Sequence, residues 1–348
     1  MPRPPLLRFA LPGLALALLA GVAACSAPAG LPPLPSPTAT FAASTADELV
    51  VLIDQRLVVV APGGQQREVA KTTGTAVYPA EPRWSPDGTR IAYIRRQFFD
   101  GRAETDDGDD VLIVPAGGGT PQEVHHHVVR GQQASGLAWA ADGNALLFGL
   151  FEPTVTNGVI QSYMPHVVRL DLATHAERTL LDNAFAPSLS RDGRTMVYAI
   201  ADHGLNVADA DGQHARPLVP PGMFPGLSFP RIAPDGSSVV FSSAEPLTTT
   251  RALEAPSLLD AVVAWFAPRR AEAHGVPMDL WRVDVTSGTR ARITTIGADD
   301  PYPSWSADGR AVLFLATGGL YRVDPDGTHL EQIGPGVTLG QVDARAKR

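Results

Sequence analysis

The chain of 348 residues is poor in the groups on which most recognisable chemistry depends. It has one cysteine, Cys25, so no disulfide can close within it and no set of thiolates can hold zinc. Only 18% of its residues are charged, the formal net charge is -8, and nearly all the positive charge is arginine. No basic stripe is present, which argues against nucleic acid as a partner. There is no Gly-x-Ser-x-Gly elbow, no His-Glu-x-x-His and no phosphate-binding glycine loop. These absences remove the common linear signatures of hydrolases, metalloproteases and nucleotide enzymes. They do not touch a site gathered from distant parts of the chain. The apolar share, 44%, is enough for a sizeable core.

What the chain does have is one pattern written five times. The copies are Trp84-Ser85-Pro86-Asp87-Gly88, Trp139-Ala140-Ala141-Asp142-Gly143, Leu189-Ser190-Arg191-Asp192-Gly193, Ile232-Ala233-Pro234-Asp235-Gly236 and Trp305-Ser306-Ala307-Asp308-Gly309. Five residues after each glycine stands an aromatic: Tyr93, Phe148, Tyr198, Phe241 and Phe314. Asp-Gly between apolar runs marks a tight turn. Aspartate folds its carboxylate onto nearby backbone N–H groups, and glycine takes a positive φ without steric cost. Each copy therefore reads as strand, hairpin turn, strand, with these aspartates as turn-formers rather than acids.

The runs after the turns, 91–94, 145–148, 196–199, 239–241 and 312–314, are apolar at successive residues. That pattern fits strands buried on both faces. Further strand-like runs follow at 111–114, 166–170, 204–207, 280–283 and 320–323, and a short strand closes each unit. Four strands per unit is the count of a propeller blade. The turn aspartates are 55, 50, 43 and 73 residues apart, so the last interval carries an insertion. Runs at 49–53, 57–60 and 67–70 lack a first strand, and 337–342 at the other end can supply it. The expectation is an all-β, six-bladed β-propeller closed by N- and C-terminal strands, with one helical insertion. Closure of this kind removes exposed sheet edges.

The Ser-Pro-Asp-Gly turn with its later aromatic resembles the WD40-like (PD40) repeat of TolB-type propellers, over roughly residues 46–343. That resemblance implies a scaffold used both for binding and as an accessory domain of peptidases. TolB-type proteins carry an additional N-terminal domain, whereas here a signal and a linker are expected before the first strand.

The N-terminus reads as a targeting segment. Arg3 and Arg8 precede an apolar run at 11–24, which ends Val22-Ala23-Ala24-Cys25. This resembles the bacterial lipobox, in which cleavage precedes the cysteine and its thiol takes lipid. An ordinary secretory signal with an incidental cysteine is the alternative. The expected organisation is a signal over 1–24, an extended Pro/Ala/Ser/Thr-rich tether over 25–45 and the propeller over 46–348. Lipid on Cys25 would leave no thiol and hang the chain from a membrane outside the cytoplasm. In a two-membrane bacterium, Ser26 rather than Asp after the cysteine would resemble outer-membrane sorting.

Three other features stand out. The insertion, about 245–277, contains a helix-like segment at 257–266 that begins after Pro256 and ends before Pro268. Leu258, Leu259, Val262, Trp265 and Phe266 share its apolar side, and Arg269 and Arg270 follow. It is expected to pack over a blade or the channel mouth; contact with a partner or a membrane is the alternative. In His125-His126-His127, alternate residues of a strand face opposite ways, so only His125 and His127 can share a face. With no carboxylates evident beside them, no metal is assigned and a solvated strand edge is expected. The acidic run Glu104-Thr105-Asp106-Asp107-Gly108-Asp109-Asp110 lacks EF-hand spacing and is expected as a solvated hairpin loop.

These readings point to a lipid-anchored, extracytoplasmic propeller that binds an envelope protein or a small ligand without chemistry and without a cofactor. The alternative is a hydrolase or lyase acting on a sugar or small ester at the channel mouth. It would draw on His125, His127, His166, His203 and aspartates of neighbouring blades. A sensor domain reporting to another envelope protein is a third reading.

Overall fold

The Asp-Gly turns form as hydrogen-bonded units in the computed structural model. It describes Phe41 and residues 46–53, 55–72, 77–97, 107–156, 159–200, 204–246, 277–298, 301–316, 318–335 and 341–346. Asp87 accepts from the Ser85 hydroxyl at 2.6 Å and from the Thr89 N–H at 3.0 Å, while the Gly88 N–H donates to Ser85 O at 2.7 Å. Asp192 and Asp308 repeat this arrangement with Ser190 and Ser306. Asp142 and Asp235 accept from the N–H groups of Asn144 and Ser237. Gly88, Gly143, Gly193, Gly236 and Gly309 take φ of 63 to 76°, the region that favours glycine.

Each turn joins the first two strands of a four-stranded antiparallel sheet, and there are six such sheets. The closing blade holds β1 (Asp47–Ile53), β2 (Arg56–Val60) and β3 (Gln66–Lys71). Blade 1 holds β4 (Val77–Trp84), β5 (Arg90–Gln97), β6 (Asp110–Pro115) and β7 (Gln122–His125). Blade 2 holds β8 (Gln133–Trp139), β9 (Ala145–Thr156), β10 (Val159–Asp171) and β11 (Glu177–Asp182). Blade 3 holds β12 (Ala184–Leu189), β13 (Thr195–Ile200), β14 (Gly204–Asp209) and β15 (Arg216–Val219). Blade 4 holds β16 (Ser228–Ile232), β17 (Ser238–Ser243), β18 (Asp279–Asp284) and β19 (Arg290–Arg292). Blade 5 holds β20 (Tyr302–Trp305), β21 (Val312–Ala316), β22 (Gly319–Val323) and β23 (Glu331–Pro335). The last strand, β24 (Val342–Ala346), returns to the closing blade and pairs with β1, from Asp47↔Ala346 to Val51↔Val342. The ring is thus a six-bladed propeller closed by both ends of the chain. The closing strand starts at Val342 rather than at 337, and residues 336–340 lie outside the described part. Among the described residues there is no helix.

The doubly apolar second strands are explained by the packing. Six buried clusters each straddle two neighbouring blades. In β13, Met196 and Tyr198 face blade 2, while Val197 and Ala199 face blade 4. In β21, Val312 and Phe314 face blade 4, while Leu313 and Leu315 face the closing blade. A strand sandwiched this way needs apolar residues at every position. Each fully buried side chain contributes roughly 1.5–3 kcal/mol.

The architecture defines two ends of the central channel. The turns that follow the innermost strands lie at one end, the turn side. The connections between second and third strands lie at the other, the far side. The insertion leaves between β17 and β18, whose adjoining ends meet on the far side; its 257–266 segment lies outside the described residues.

Candidate functional site: a partitioned channel

The innermost strands carry a repeated irregularity. Six residues before the turn aspartate stand Glu81, Gly136, Ala186 and Phe229, with φ of 49, 67, 49 and 52°. In β4 the pairing jumps from Ala80↔Ile94 to Arg83↔Ala92, so Glu81 and Pro82 together oppose Tyr93. Phe148, Tyr198 and Phe241 oppose the corresponding bulges of β8, β12 and β16. The bulge leaves its extra residue without a ladder partner. Pro82, Pro187 and Pro230 occupy its second position and have no N–H to leave unpaired. In β20 the pairing runs unbroken from Tyr302↔Leu315 to Trp305↔Val312. The bulges aim the residues before and after them at the two halves of the channel.

The turn-side half is a cavity of about 480 Å³. Arg83 and Arg231 enter it four residues before their turn aspartates, from blades 1 and 4. Those blades are three apart in a ring of six and so face each other. Ser188, Ser304 and Asp343 line the same cavity. Both arginines are more than nine-tenths buried, at 8% and 6% exposure. Each donates through Nη1 to the carbonyl just before it, Pro82 O at 2.6 Å and Pro230 O at 3.1 Å. The Nε atom of each is buried without a hydrogen-bond partner. Tryptophans of the following blades fix their backbones: Trp139 Nε1 donates to Arg83 O at 3.1 Å and Trp305 Nε1 to Arg231 O at 3.0 Å. Trp84, at the same place in blade 1, has no acceptor for its Nε1 and instead lies under the Arg345 guanidinium, 3.9 Å from the ring centroid. Asp343 accepts from the Trp84 N–H at 2.8 Å and the Ser304 hydroxyl at 3.1 Å. Desolvation nevertheless pushes its carboxyl above the usual range, against the pull of Arg83.

Glu81 divides the channel. Its side chain is 1% exposed. Oε2 accepts the Gly136 N–H at 2.5 Å and lies 3.7 Å from Arg231 Nη2 of the opposite blade; Oε1 lies 3.9 Å from Arg96. Its own N–H is taken by the Gln341 side chain. Beyond it the far-side half is a cavity of about 620 Å³, lined by Tyr78, Arg96, Asp109, Phe185, Phe229 and Tyr302 among others. Burial raises the Asp109 carboxyl, although Arg96 and the Ala134 N–H counteract it. The β9–β10 hairpin overhangs this mouth and exposes Val155, Ile160, Tyr163 and Met164.

The residues singled out from sequence distribute unevenly. Cys25 lies outside the described residues, as do Leu258, Leu259, Val262, Trp265, Phe266, Arg269, Arg270 and His203. No histidine lines either cavity among the described residues. His125 is buried, packs its ring edge-on against Phe148 and sets Nδ1 2.5 Å from Glu177 of blade 2. His166 pairs with Asp182 at 3.0 Å. The expected solvated strand edge is overturned for His125 and His127, which are buried; β7 ends at His125, and the next two residues leave the strand. His126 and His127 both turn to Asp110 instead. The described part of the acidic run is not solvated either. Asp107, Asp109 and Asp110 are buried, and each meets an arginine, Arg130, Arg96 and Arg95 respectively. Burial opposes the charge of Asp110, but hydrogen bonds from His127 and Arg95 hold its carboxyl below the usual range. Arg83 and Arg231 were missed; their signal is a shared offset of four residues before the turn aspartate in two of five copies.

No protein-family model matches the chain, and no curated protein matches it in sequence. Solved structures do match. TolB from Acinetobacter baumannii aligns with a TM-score of 0.60 at 14% identity, over 86% of this chain and 67% of that one. An oligogalacturonate lyase in complex with manganese gives 0.49 at 14% identity, over 80% and 70%. A puromycin-hydrolysing peptidase of Mycobacterium tuberculosis gives 0.49 at 15%, over 82% and 43%. The first is a likeness of fold, a TolB-like six-bladed propeller. The other two are too distant to bear on the chemistry of this chain.

Proposed function

We propose that this TolB-like propeller is a non-catalytic binding module of the cell envelope. In this reading it sits outside the cytoplasm, is tied to a membrane through lipid on Cys25, and binds a protein partner or ligand that offers an anionic group to the turn-side cavity. The observation that carries the reading is the facing pair Arg83 and Arg231, buried and each with an unpartnered Nε–H. A buried donor without a partner costs about 1–3 kcal/mol, which a carboxylate would recover. Guanidinium stays protonated, so these groups hold an anion rather than move a proton. The carboxylates of the cavity are already engaged, Asp343 by Trp84 and Ser304 and Asp87 by Ser85 and Thr89. Of the histidines that a hydrolase or lyase would use, the three described, His125, His127 and His166, pair with carboxylates away from both cavities. That distribution supports binding over the catalytic alternative. The N-terminal basic start, apolar run and Ala23-Ala24-Cys25 end support the location.

The test is chemical crosslinking on native membranes followed by purification of the chain. The wild type is compared with the double variant Arg83→Gln/Arg231→Gln. A partner captured by the wild type and reduced at least tenfold in the double variant is expected. Equal capture by both, or no partner with the wild type, overturns the reading. Cys25→Ser, fractionated in parallel, is expected in the soluble fraction; retention of that variant on membranes removes the lipid anchor.

A further inference from the structure

The cluster left unused by the channel is on the far-side rim of blade 1. His126 Nδ1 lies 2.9 Å and His127 Nδ1 2.8 Å from the same oxygen, Asp110 Oδ1. The three atoms all fall within 4.8 Å of one another. Glu123 Oε1 stands 3.4 Å from His126 Nδ1. Arg95 organises the two carboxylates: its Nη2 donates to Asp110 Oδ2 at 2.5 Å and to Glu123 Oε2 at 2.7 Å. Each carboxylate therefore has one oxygen held by Arg95 and the other turned to the imidazoles.

We infer that Asp110, His126 and His127 form a binding site for a divalent transition metal of the zinc class, with the fourth position open to water or to Glu123 turning in from beside His126. Two imidazoles with carboxylate oxygens are a donor set that zinc accepts, at about 2.0–2.2 Å per ligand. Donors at that distance in a tetrahedron stand roughly 3.4 Å apart. Asp110 stands 2.8 and 2.9 Å from the two imidazoles and the three donor groups spread no wider than 4.8 Å, so modest side-chain adjustment reaches that spacing. Two carboxylates against one guanidinium leave the cluster with one net negative charge before a cation enters. The Arg95 contacts are the kind of outer hydrogen bonds that orient metal-binding carboxylates. His126 is 54% exposed in its side chain, so the site opens to solvent. The metal would have a structural consequence. Asp110 begins β6, and the segment after His127 bonds back to the residues before it, through Gly131 N–H to Asp107 O at 2.6 Å and Asp109 N–H to Gln132 O at 2.9 Å. Gly131 and Gln132 line the far-side cavity. An ion bridging Asp110 to His126 and His127 would clamp that rim.

The test uses the purified full chain without a polyhistidine tag, in a Cys25→Ser background that removes the single thiol. Zinc is titrated calorimetrically, and cobalt(II) is followed by its visible absorption. One ion per chain with tetrahedral cobalt bands is expected. His126→Ala, which leaves the core untouched, should weaken zinc at least tenfold and abolish the bands. His214→Ala and His329→Ala remove imidazoles that pair with Asp209 and Asp324 elsewhere on the surface, and should change neither readout. No binding up to millimolar zinc, or affinity unchanged in His126→Ala, overturns the inference.

Discussion

The two mouths of the channel are built by different means. The turn-side mouth is made largely from the repeat itself: tryptophans, serines and Asp-Gly turns at fixed offsets, with Arg83 and Arg231 standing where other blades have Ala138, Ser188 and Ser304. The far-side mouth is made from what the repeat does not specify: the 107–110 and 126–132 segments and the long β9–β10 hairpin. Repetition secures the ring, and the departures from it carry the individuality of the molecule. Glu81 belongs to both, because its strand is part of the repeat and its charge is not.

Glu81 is the place to strain this contrast hardest. Glu81→Leu removes the acceptor of the Gly136 N–H and leaves Arg231 facing an apolar group across the channel. Breaking one side of a buried pair costs about 3–5 kcal/mol. A denaturant melt should show a loss of that order, with Glu81→Gln intermediate because it keeps an acceptor. Equal stabilities for the two variants would mean that charge does not hold the partition. A smaller effect separates two tryptophans of the repeat. Trp139→Phe removes a hydrogen bond to the Arg83 carbonyl, whereas Trp84→Phe removes an N–H that has no acceptor. The first should cost about 1 kcal/mol more than the second, and matching melts would deny that the tryptophans brace the arginines.

The smallest expected effect concerns pH. Burial raises Asp343, so in the window between the ordinary carboxylate range and its raised value the folded chain binds more protons than the unfolded one. Stability then falls as pH rises through that window. Asp343→Asn should flatten this slope in thermal melts across mildly acidic pH, without removing it, because Asp109 and Asp47 are raised by burial too. An unchanged slope would leave Asp343 out of it. The turn aspartates act in the opposite sense. Ser85, Ser190 and the Arg310 N–H lower Asp87, Asp192 and Asp308, so what they add is lost only as pH falls below the ordinary range.

The blade count, the turns and the closure were legible because their chemistry is local or periodic. An Asp-Gly turn needs only its own neighbours, and a doubly buried strand shows in consecutive apolar residues. The inner bulge was only half written in the sequence: Pro82, Pro187 and Pro230 mark it at one offset, but Pro303 shares that offset in the unbulged β20 and Leu137 holds it in the bulged β8, so its meaning depends on pairing with the aromatic across the hairpin. The site was hardly legible. That Arg231 meets Glu81 follows from blades 1 and 4 standing opposite in a ring, which no linear spacing encodes. That His126 and His127 turn to Asp110 follows from β7 stopping one residue earlier. Burial of Asp107, Asp109 and Asp110 required knowing which arginines arrive beside them.

Ring closure also sets where the molecule can be held. Asp47 opens β1 on the turn side, where its carboxylate accepts the Ala307 N–H at 2.9 Å. Phe41, six residues before it, meets Gly64 of the β2–β3 turn through its backbone and packs its ring with Leu320 and Ile333 of blade 5. Sixteen steps of chain separate Phe41 from Cys25. Fully extended they reach about 55 Å. With lipid on Cys25, that is the longest leash between the bilayer and Phe41. A partner of the propeller would then work within reach of the membrane surface.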